Sequence, residues 1–344
     1  GGTFAAPDLS GINALQFNTG TLNLTGSLGL TVGEGGPLGS LVLNTGDALN
    51  VDNTTTIASG GSLSMSGGVL STSTLLLDGG ALQFNTGTLN LTGSSGLTVG
   101  EGGPLGLLVL NAGDALNVNN TTTVTSGGDL SVSGGTLSTS ALFLDGGTLQ
   151  FNTGTLNVTG PGGLTVGEGG PLRSLVLNAG DALNVDNMTT IASGGKITVH
   201  GTFSSALLTI ESGGQFDVPS GYTNHDEILL ADSDARITGS VLTNRGLLRG
   251  SGRILAVVDN NTDGGIEVTD GELDFISDLS NTNRISVNNG ILRVQSDLSN
   301  KNQISVINGT LRVQGEITNA SSTGFIAGEN ATFRFSGGFA NNGA

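Results

Sequence analysis

Cysteine and tryptophan are absent from this chain of 344 residues, which contains one tyrosine and two histidines. Without cysteine the protein forms no disulfide and no thiolate metal site. Aromatic residues make up only 4% of the sequence, too few to fill a wide globular core. The hydrophobic content of 36% is nevertheless too high for a disordered chain. These features favour a narrow core built from Leu, Val and Ile.

Basic residues are also scarce: no Lys or Arg precedes Arg173, and the formal net charge is −17. Such a surface repels phosphate groups, so we expect no binding to nucleic acid and no electrostatic attachment to anionic lipid. No apolar run approaches the ~20 residues of a membrane helix, so we expect no membrane insertion. Asp47, Asp114 and Asp181 recur every 67 residues, and we interpret them as surface charges spaced widely enough to limit self-repulsion.

Internal repetition dominates residues 14–214. The stretch ALQFNTGTLNLTG at residues 14–26 returns at 81–93, and returns as TLQFNTGTLNVTG at 148–160. Each 67-residue unit divides into segments of 27, 21 and 19 residues, each with three short alternating apolar runs. In the first segment these runs are Leu15/Phe17, Leu22/Leu24 and Leu30/Val32. Period-two alternation predicts strands, and the Gly, Asn, Asp and Ser residues between them predict turns.

Three short strands in a coil of about twenty residues predict an all-β fold, a single-chain parallel β-helix or right-handed β-solenoid of roughly fifteen coils. Residues 1–13 are predicted to form an N-terminal edge strand, 14–214 three repeats of three coils, and 215–260 irregular coils. Residues 261–344 form coils of about 19 residues. Stacked columns follow from that period: Leu279/Leu298/Ile317 and Ile285/Ile304 inward, Asn281/Asn300/Asn319 at a turn, and Gly271/Gly290/Gly309 at a corner needing a permissive backbone.

The stretches YTNHDEILLADSDARITGSVLTNRGLLRGSGRIL at residues 222–255 and ATFRFSGGFANNG near the C-terminus resemble the secreted β-solenoid surface proteins of bacteria. That group includes autotransporter-passenger-like and PEP-CTERM-type repeat proteins. The resemblance covers nearly the whole chain and is carried by motifs that encode coils and no chemistry. It implies an extracellular or cell-surface location and a structural role.

Four sets of residues invite an enzymatic or metal-binding interpretation, and each has a simpler one. NTDG at Asn261–Gly264 resembles a motif of β-helical polygalacturonases, but the companion Asp pair and Gly-His-Gly are missing, so we interpret it as a turn in the Asn281 column. The carboxylates of Asp226, Glu227 and the ADSDAR stretch (Ala231–Arg236) lie in polar, turn-like sequence. His200 and His225 are isolated, whereas zinc needs three or four ligands. We therefore predict no catalytic residue, no enzyme and no required cofactor.

Charged columns one coil apart are a further candidate. Asp278, Asp297 and Glu316 form an acidic column that could take Ca²⁺ through carboxylate oxygens. Arg293 and Arg312 form a basic column, extended by Asp274 and Arg334. A solvated, charge-striped surface is the simpler interpretation, because no calcium-binding Gly-Gly-x-Gly-x-Asp repeat is present. The GEGGP stretches at 33–37, 100–104 and 167–171 lack the ending of a phosphate-binding loop and predict protruding turns.

A solenoid has two open edges, and we find no atypical capping segment at either. Thr3 and Phe4 at one edge, and Phe333, Phe335 and Phe339 at the other, are the predicted self-assembly residues. The leading hypothesis is a non-enzymatic, secreted subunit whose copies stack head to tail into a filament, the chain being its own partner. An adhesin or rod that binds surface glycan is the alternative, followed by a polysaccharide-degrading enzyme and an ice-binding face on the Thr-rich runs.

Overall fold

The computed structural model describes residues 2–9, 19–320 and 323–341. All regular structure in these residues is β-strand. The strands pair in parallel with the strand one coil away, and the described residues form about 16 turns of a parallel β-solenoid, which confirms the predicted fold class. By internal contacts the chain divides into unit 1, Gly1–Gly163 with Asn178–Asp186, and unit 2, Leu164–Leu177 with Asn187–Ala344. This division does not coincide with the repeat boundaries.

The strands of unit 1 begin with β1 Gly2–Ala6, β2 Gly20–Leu24, β3 Leu30–Val32, β4 Ser40–Asn44, β5 Asp47–Ala58, β6 Ser62–Asp78, β7 Ala81–Leu91, β8 Leu97–Val99, β9 Leu107–Asn111, β10 Asp114–Thr125, β11 Asp129–Asp145 and β12 Thr148–Val158. Chain order continues with β13 Leu164–Val166, β14 Ser174–Leu177 and β15 Asp181–Ile191. Of these, β13, β14 and the part of β15 after Asp186 belong to unit 2.

The remaining strands all lie in unit 2: β16 Lys196–Val199, β17 Thr202–Ile210, β18 Gln215–Val218, β19 Tyr222–Asn224, β20 Glu227–Gly239, β21 Val241–Asn244, β22 Leu247–Ile254, β23 Val257–Asn260, β24 Gly265–Thr269, β25 Glu272–Phe275, β26 Leu279–Asn281, β27 Arg284–Asn288, β28 Ile291–Val294, β29 Leu298–Asn300, β30 Gln303–Ile307, β31 Thr310–Val313, β32 Ile317–Asn319, β33 Phe325–Glu329, β34 Thr332–Phe335 and β35 Phe339–Asn341.

In unit 1 the predicted inward residues stack in register. Leu22 lies opposite Leu49 and Leu24 opposite Val51 where β2 pairs with β5, and all four are buried. Thr55, a polar residue at an inward position, is fully buried, and its hydroxyl lies 3.0 Å from the Thr72 hydroxyl inside the core. A buried hydroxyl is tolerated because it finds this partner. The predicted inward pair Leu15 and Phe17 lies outside the described residues.

Strand length differs between the two units. In unit 2 the last coils have three short strands each, as predicted; β27, β28 and β29 have five, four and three residues. In unit 1 the short strands merge, and β6 is continuous over 17 residues. Its pairing with β5 shifts register between Val51 and Thr54, so an irregularity turns the chain there without ending the strand. The expectation of three short strands in every coil is therefore wrong for unit 1.

The predicted apolar columns of unit 2 are confirmed. Leu279, Leu298 and Ile317 are successive partners in register, as are Ile285 and Ile304. At the predicted glycine corner, Gly271 has a φ of 70°, but in the next two coils the positive φ falls on Asn289 (58°) and Asn308 (50°). Asn tolerates this conformation. Gly290 is required there for space, because a Cβ would come within 2.8 Å of the Val268 side chain.

Candidate functional surfaces

The C-terminal edge of unit 2 exposes residues that occupy core columns. Phe333 lies opposite Leu311, Phe335 opposite Val313 and Phe339 opposite Ile317. Those three partners are at most 1% exposed, whereas the three phenylalanines are 39, 38 and 50% exposed. The rings of Phe335 and Phe339 stack with centroids 5.6 Å apart, and Phe333 lies 6.1 Å from Phe335. The inward face of the last described coil is therefore an aromatic cluster that no other coil of the described residues covers.

The N-terminal edge of unit 1 also exposes a residue of a core column, but it has fewer apolar side chains. β1 pairs with β2, which places Phe4 opposite the buried Leu22 and Ala6 opposite Leu24. Phe4 is 61% exposed. Thr3 lies opposite Thr21 on the outward side, so of the two residues predicted for this edge, Phe4 continues a core column and Thr3 does not.

A ladder of asparagines, buried up to Asn319 and exposed at its last member, runs through unit 2. The members are Asn224, Asn244, Asn260, Asn281, Asn300, Asn319 and Asn341, and each side-chain amide except the last donates to the next Oδ1 at 2.7–2.9 Å. The amide of Asn281 also donates to the backbone carbonyl of Asn283 at 3.1 Å. The predicted column is thus confirmed and extended, and its members up to Asn319 are buried. The member next to the NTDG stretch is Asn260, the residue before it, so the placement of Asn261 in this column was wrong by one residue.

The candidate enzymatic residues do not converge on a site. The Gly264 N–H donates to the Asn261 carbonyl at 2.9 Å, which closes a local turn. Glu227 forms an ion pair with Arg249. Asp232 accepts hydrogen bonds from the backbone N–H of Asp234 and from the hydroxyl of Ser233, and these bonds lower the pKa of its exposed carboxyl. A catalytic acid needs the opposite shift.

His200 and the acidic column are likewise committed to local contacts, and His225 is exposed. The exposed His200 Nδ1 lies 3.0 Å from the Ser220 hydroxyl. Asp278 accepts hydrogen bonds from the hydroxyl of Ser296 and the N–H of Asp297, and both lower the pKa of its carboxyl. Asp297 Oδ1 in turn accepts from the Glu316 N–H at 2.7 Å. Within the described ranges no three His, Cys, Asp or Glu side chains are grouped to hold a metal ion, so the column gives no support to a calcium site.

Three acids that the sequence pattern placed on the surface are buried. Asp47, Asp114 and Asp181 are each about 2% exposed or less. In each case Oδ2 accepts the backbone N–H three residues earlier, from Asn44, Asn111 and Asn178 respectively, at 2.7–2.8 Å. Asp47 Oδ1 also accepts from the Thr19 N–H at 3.0 Å, but Oδ1 of Asp114 and of Asp181 is buried without a partner. Burial raises the pKa of Asp114. The signal was available in the sequence, since Asn-x-Gly-Asp is a turn motif.

The three GEGGP stretches form tight turns, as predicted. The Gly33 N–H donates to the Leu38 carbonyl and the Gly36 N–H donates to the Gly33 carbonyl. A Cβ on Gly36 would lie 2.2 Å from the Thr31 carbonyl oxygen, so the second glycine of the pair is fixed by close backbone packing. Glu34 is exposed at the tip. These turns therefore carry their sequence for geometric reasons.

Residues 2–9, 19–320 and 323–341 contain no helix of the length and apolar character that spanning a membrane requires. No protein-family model and no curated protein matches the chain. Among solved structures it matches the crystal structure of the TibC-catalysed, hyper-glycosylated TibA55-350 fragment at 19% identity, with a TM-score of 0.21. The match covers 90% of this chain and 97% of that chain. The two backbones superpose poorly at this TM-score, so no function is transferred. The assignment of the chain as a parallel β-solenoid rests on its own strand pairing.

Proposed function

We propose that this chain is a non-enzymatic, secreted structural protein of the bacterial cell surface or its surroundings. Its copies stack head to tail, with the C-terminal edge of unit 2 against the N-terminal edge of unit 1 of another copy. The resemblance of its sequence to secreted solenoid surface proteins supports the location. The observation that carries the stacking is the row of core-column phenylalanines, Phe333, Phe335 and Phe339, left uncovered at one edge.

Stacking satisfies two physical demands of these edges. Each exposed apolar side chain gains about 1.5–3 kcal/mol when it is fully buried. Phe4, which continues a core column at the other edge, is an exposed apolar residue that these phenylalanines can contact. The terminal strands β1 and β34 also present one row of backbone N–H and C=O groups that a further parallel strand can pair. A contact between two different edges does not close on itself, so it generates a filament.

The absence of enzymatic activity is part of the proposal. It rests on carboxylates that already form ion pairs or hydrogen bonds within the protein. Glu227 is paired with Arg249, Asp232 and Asp278 have lowered pKa values, and Asp297 accepts a backbone hydrogen bond. None of these groups is poised as a general acid. The buried Asp114 has a raised pKa, but it closes a turn and is 2% exposed, so a substrate would not reach it.

The stacking proposal is tested by sedimentation velocity and negative-stain electron microscopy of the purified chain over a wide concentration range. We expect association that increases with concentration and filaments at the upper end. Phe335→Glu should reduce it at least tenfold, because a charge would be buried in the contact. Phe143→Glu is the matched control, since Phe143 is 55% exposed on the outer side of β11 and not at an edge. Monodisperse monomers at all concentrations, or equal loss in both variants, would contradict the proposal.

A glycan-binding surface protein is the second candidate function. Few exposed aromatic side chains are available for stacking against sugars, which counts against recognition of neutral glycans. One surface feature of unit 2 nevertheless favours an acidic glycan.

A further inference from the structure

Unit 2 concentrates the basic residues of the chain in one outward column. Strand pairing places the following residues in successive coils at the same register position: Lys196, Gln215, Arg236, Arg253, Asp274, Arg293, Arg312 and Arg334. Six of the 11 Lys and Arg residues of the whole chain thus stand in a single line. We call it the basic column. Only its last four members were recognisable from the sequence, because the earlier coils vary in length.

The guanidinium groups of the basic column are weakly neutralised. Arg253 and Arg293 lie 3.8 and 3.9 Å from Asp274, beyond hydrogen-bond distance, while both oxygens of Asp274 accept from the Gln295 amide. Arg293 lies 3.7 Å from Glu272. In contrast, Arg284, outside the column, lies 2.9 Å from Glu267 Oε1.

Three arginines of the basic column, two of them at its C-terminal end, form no ion pair with an acid of the described residues. Within the described part of the chain, Arg236, Arg312 and Arg334 have no carboxylate at ion-pair distance. Nε of Arg312 is moreover buried without a hydrogen-bond partner. An unpartnered buried donor is costly, so the protein itself leaves this guanidinium without full compensation.

The side chains beside the column are short and polar at this end. Thr310 in β31 and Gln314 just after that strand flank Arg312 in sequence, and Thr332 and Ser336 flank Arg334 in the same way. They offer hydroxyl and amide groups to a ligand. They offer no aromatic ring, although stacking on such rings is how proteins hold single-stranded nucleic acid.

We propose that the basic column binds a linear acidic polysaccharide that carries one carboxylate per sugar. Neighbouring column residues are about 4.8 Å apart, a spacing similar to the length of one sugar ring in an extended chain. Each arginine can bond a carboxylate through two parallel N–H donors. Duplex DNA fits less well, because its phosphates recur every ~3.4 Å per strand and wind around the axis. This site goes beyond stacking and does not require it.

The site is tested with polygalacturonate, using isothermal titration calorimetry at low salt and a protein concentration below any self-association. We expect binding that weakens as salt is raised. The fully methyl-esterified polymer, which has the same backbone without charge, should not bind. The double variant Arg312→Gln/Arg334→Gln should bind at least tenfold more weakly. The matched double variant Arg249→Gln/Arg284→Gln removes the same charge outside the column and should change affinity less than twofold.

Arg334→Gln alone guards against a folding defect, because Arg334 is exposed; it should weaken binding measurably while the unfolding midpoint stays unchanged. No binding of polygalacturonate, equal binding of the methyl ester, or equal loss in the two double variants would overturn the proposal. Tighter binding of poly(dT) than of polygalacturonate would also overturn it in favour of nucleic acid. Sedimentation velocity measures stacking independently, so a failure of the stacking proposal is distinguishable from a failure of the binding proposal.

Discussion

Acidic residues that recur with the same sequence period differ in burial. The acids Glu34 and Asp47 recur with the same 67-residue period, yet Glu34 is exposed at a turn and Asp47 is 2% exposed beneath one. Among the buried acids, Asp47 has partners for both oxygens, whereas Asp114 has a partner for only one. The repeat therefore contains its own comparison between a satisfied and a half-satisfied buried carboxylate.

Asp114→Asn should remove a buried charge and keep an oxygen for the Asn111 N–H, so stability at pH 7 should not decrease. Asp47→Asn should cost about 1–3 kcal/mol, because its amide group must replace an acceptor facing an N–H donor. Urea unfolding of both variants measures the difference. An Asp114→Asn variant as destabilised as Asp47→Asn would show that the second oxygen of Asp114 has an essential partner.

The same position sets a pH dependence. The pKa of Asp114 is raised in the folded state, so the folded protein binds this proton more tightly than the unfolded chain. Its contribution to stability is thus greatest below about pH 4, the ordinary Asp value, and is lost as the pH rises through the folded pKa. The Asp114→Asn variant should lack this component of stability when urea unfolding is compared at about pH 4 and at pH 7.

At the scale of elements, the asparagine ladder links one short strand of each coil to the next in unit 2. Asn281 donates to Asn300 and to backbone carbonyls, and accepts from Asn260. It is fully buried. The ladder therefore fixes the register of β26 and its neighbours, because a shift of one residue would leave buried amides without partners.

Asn281→Ala should lower the free energy of unfolding by about 2–4 kcal/mol, because it leaves the groups bonded to Asn281 unsatisfied on both sides. Asn288→Ala is the control, since Asn288 is exposed at the end of β27, and it should change stability by less than about 0.5 kcal/mol. Urea unfolding followed by circular dichroism gives both values. If Asn281→Ala lowered the free energy of unfolding no more than the control does, the ladder would contribute little net stability.

At the scale of the whole molecule, charge opposes association while the exposed edges favour it. The chain has a net charge of −17, so copies repel one another at low ionic strength. The basic column is the main local exception, with six basic side chains and one acid in line.

Salt should therefore act in opposite directions on the two proposed contacts. Raising it from about 0.01 to 0.15 M shortens the Debye length from ~30 to ~8 Å, which should strengthen head-to-tail stacking and weaken binding of the acidic polysaccharide. Sedimentation velocity and calorimetry across this range measure the two responses. Weaker stacking at higher salt would indicate a contact held by charge instead of by apolar burial.

The sequence by itself determined the repeat, the all-β class and the inward columns such as Leu279, Leu298 and Ile317, because in a parallel solenoid the chain period is also the stacking period. Only the tertiary structure decided where the coils between residues 196 and 260 align, because their lengths vary and backbone pairing alone brings Arg236 and Arg253 into line with Arg293. Burial of Asp47 and Asp114, and the place of Asn260 in the ladder, likewise depend on which backbone groups meet across coils, and that is a property of the folded stack.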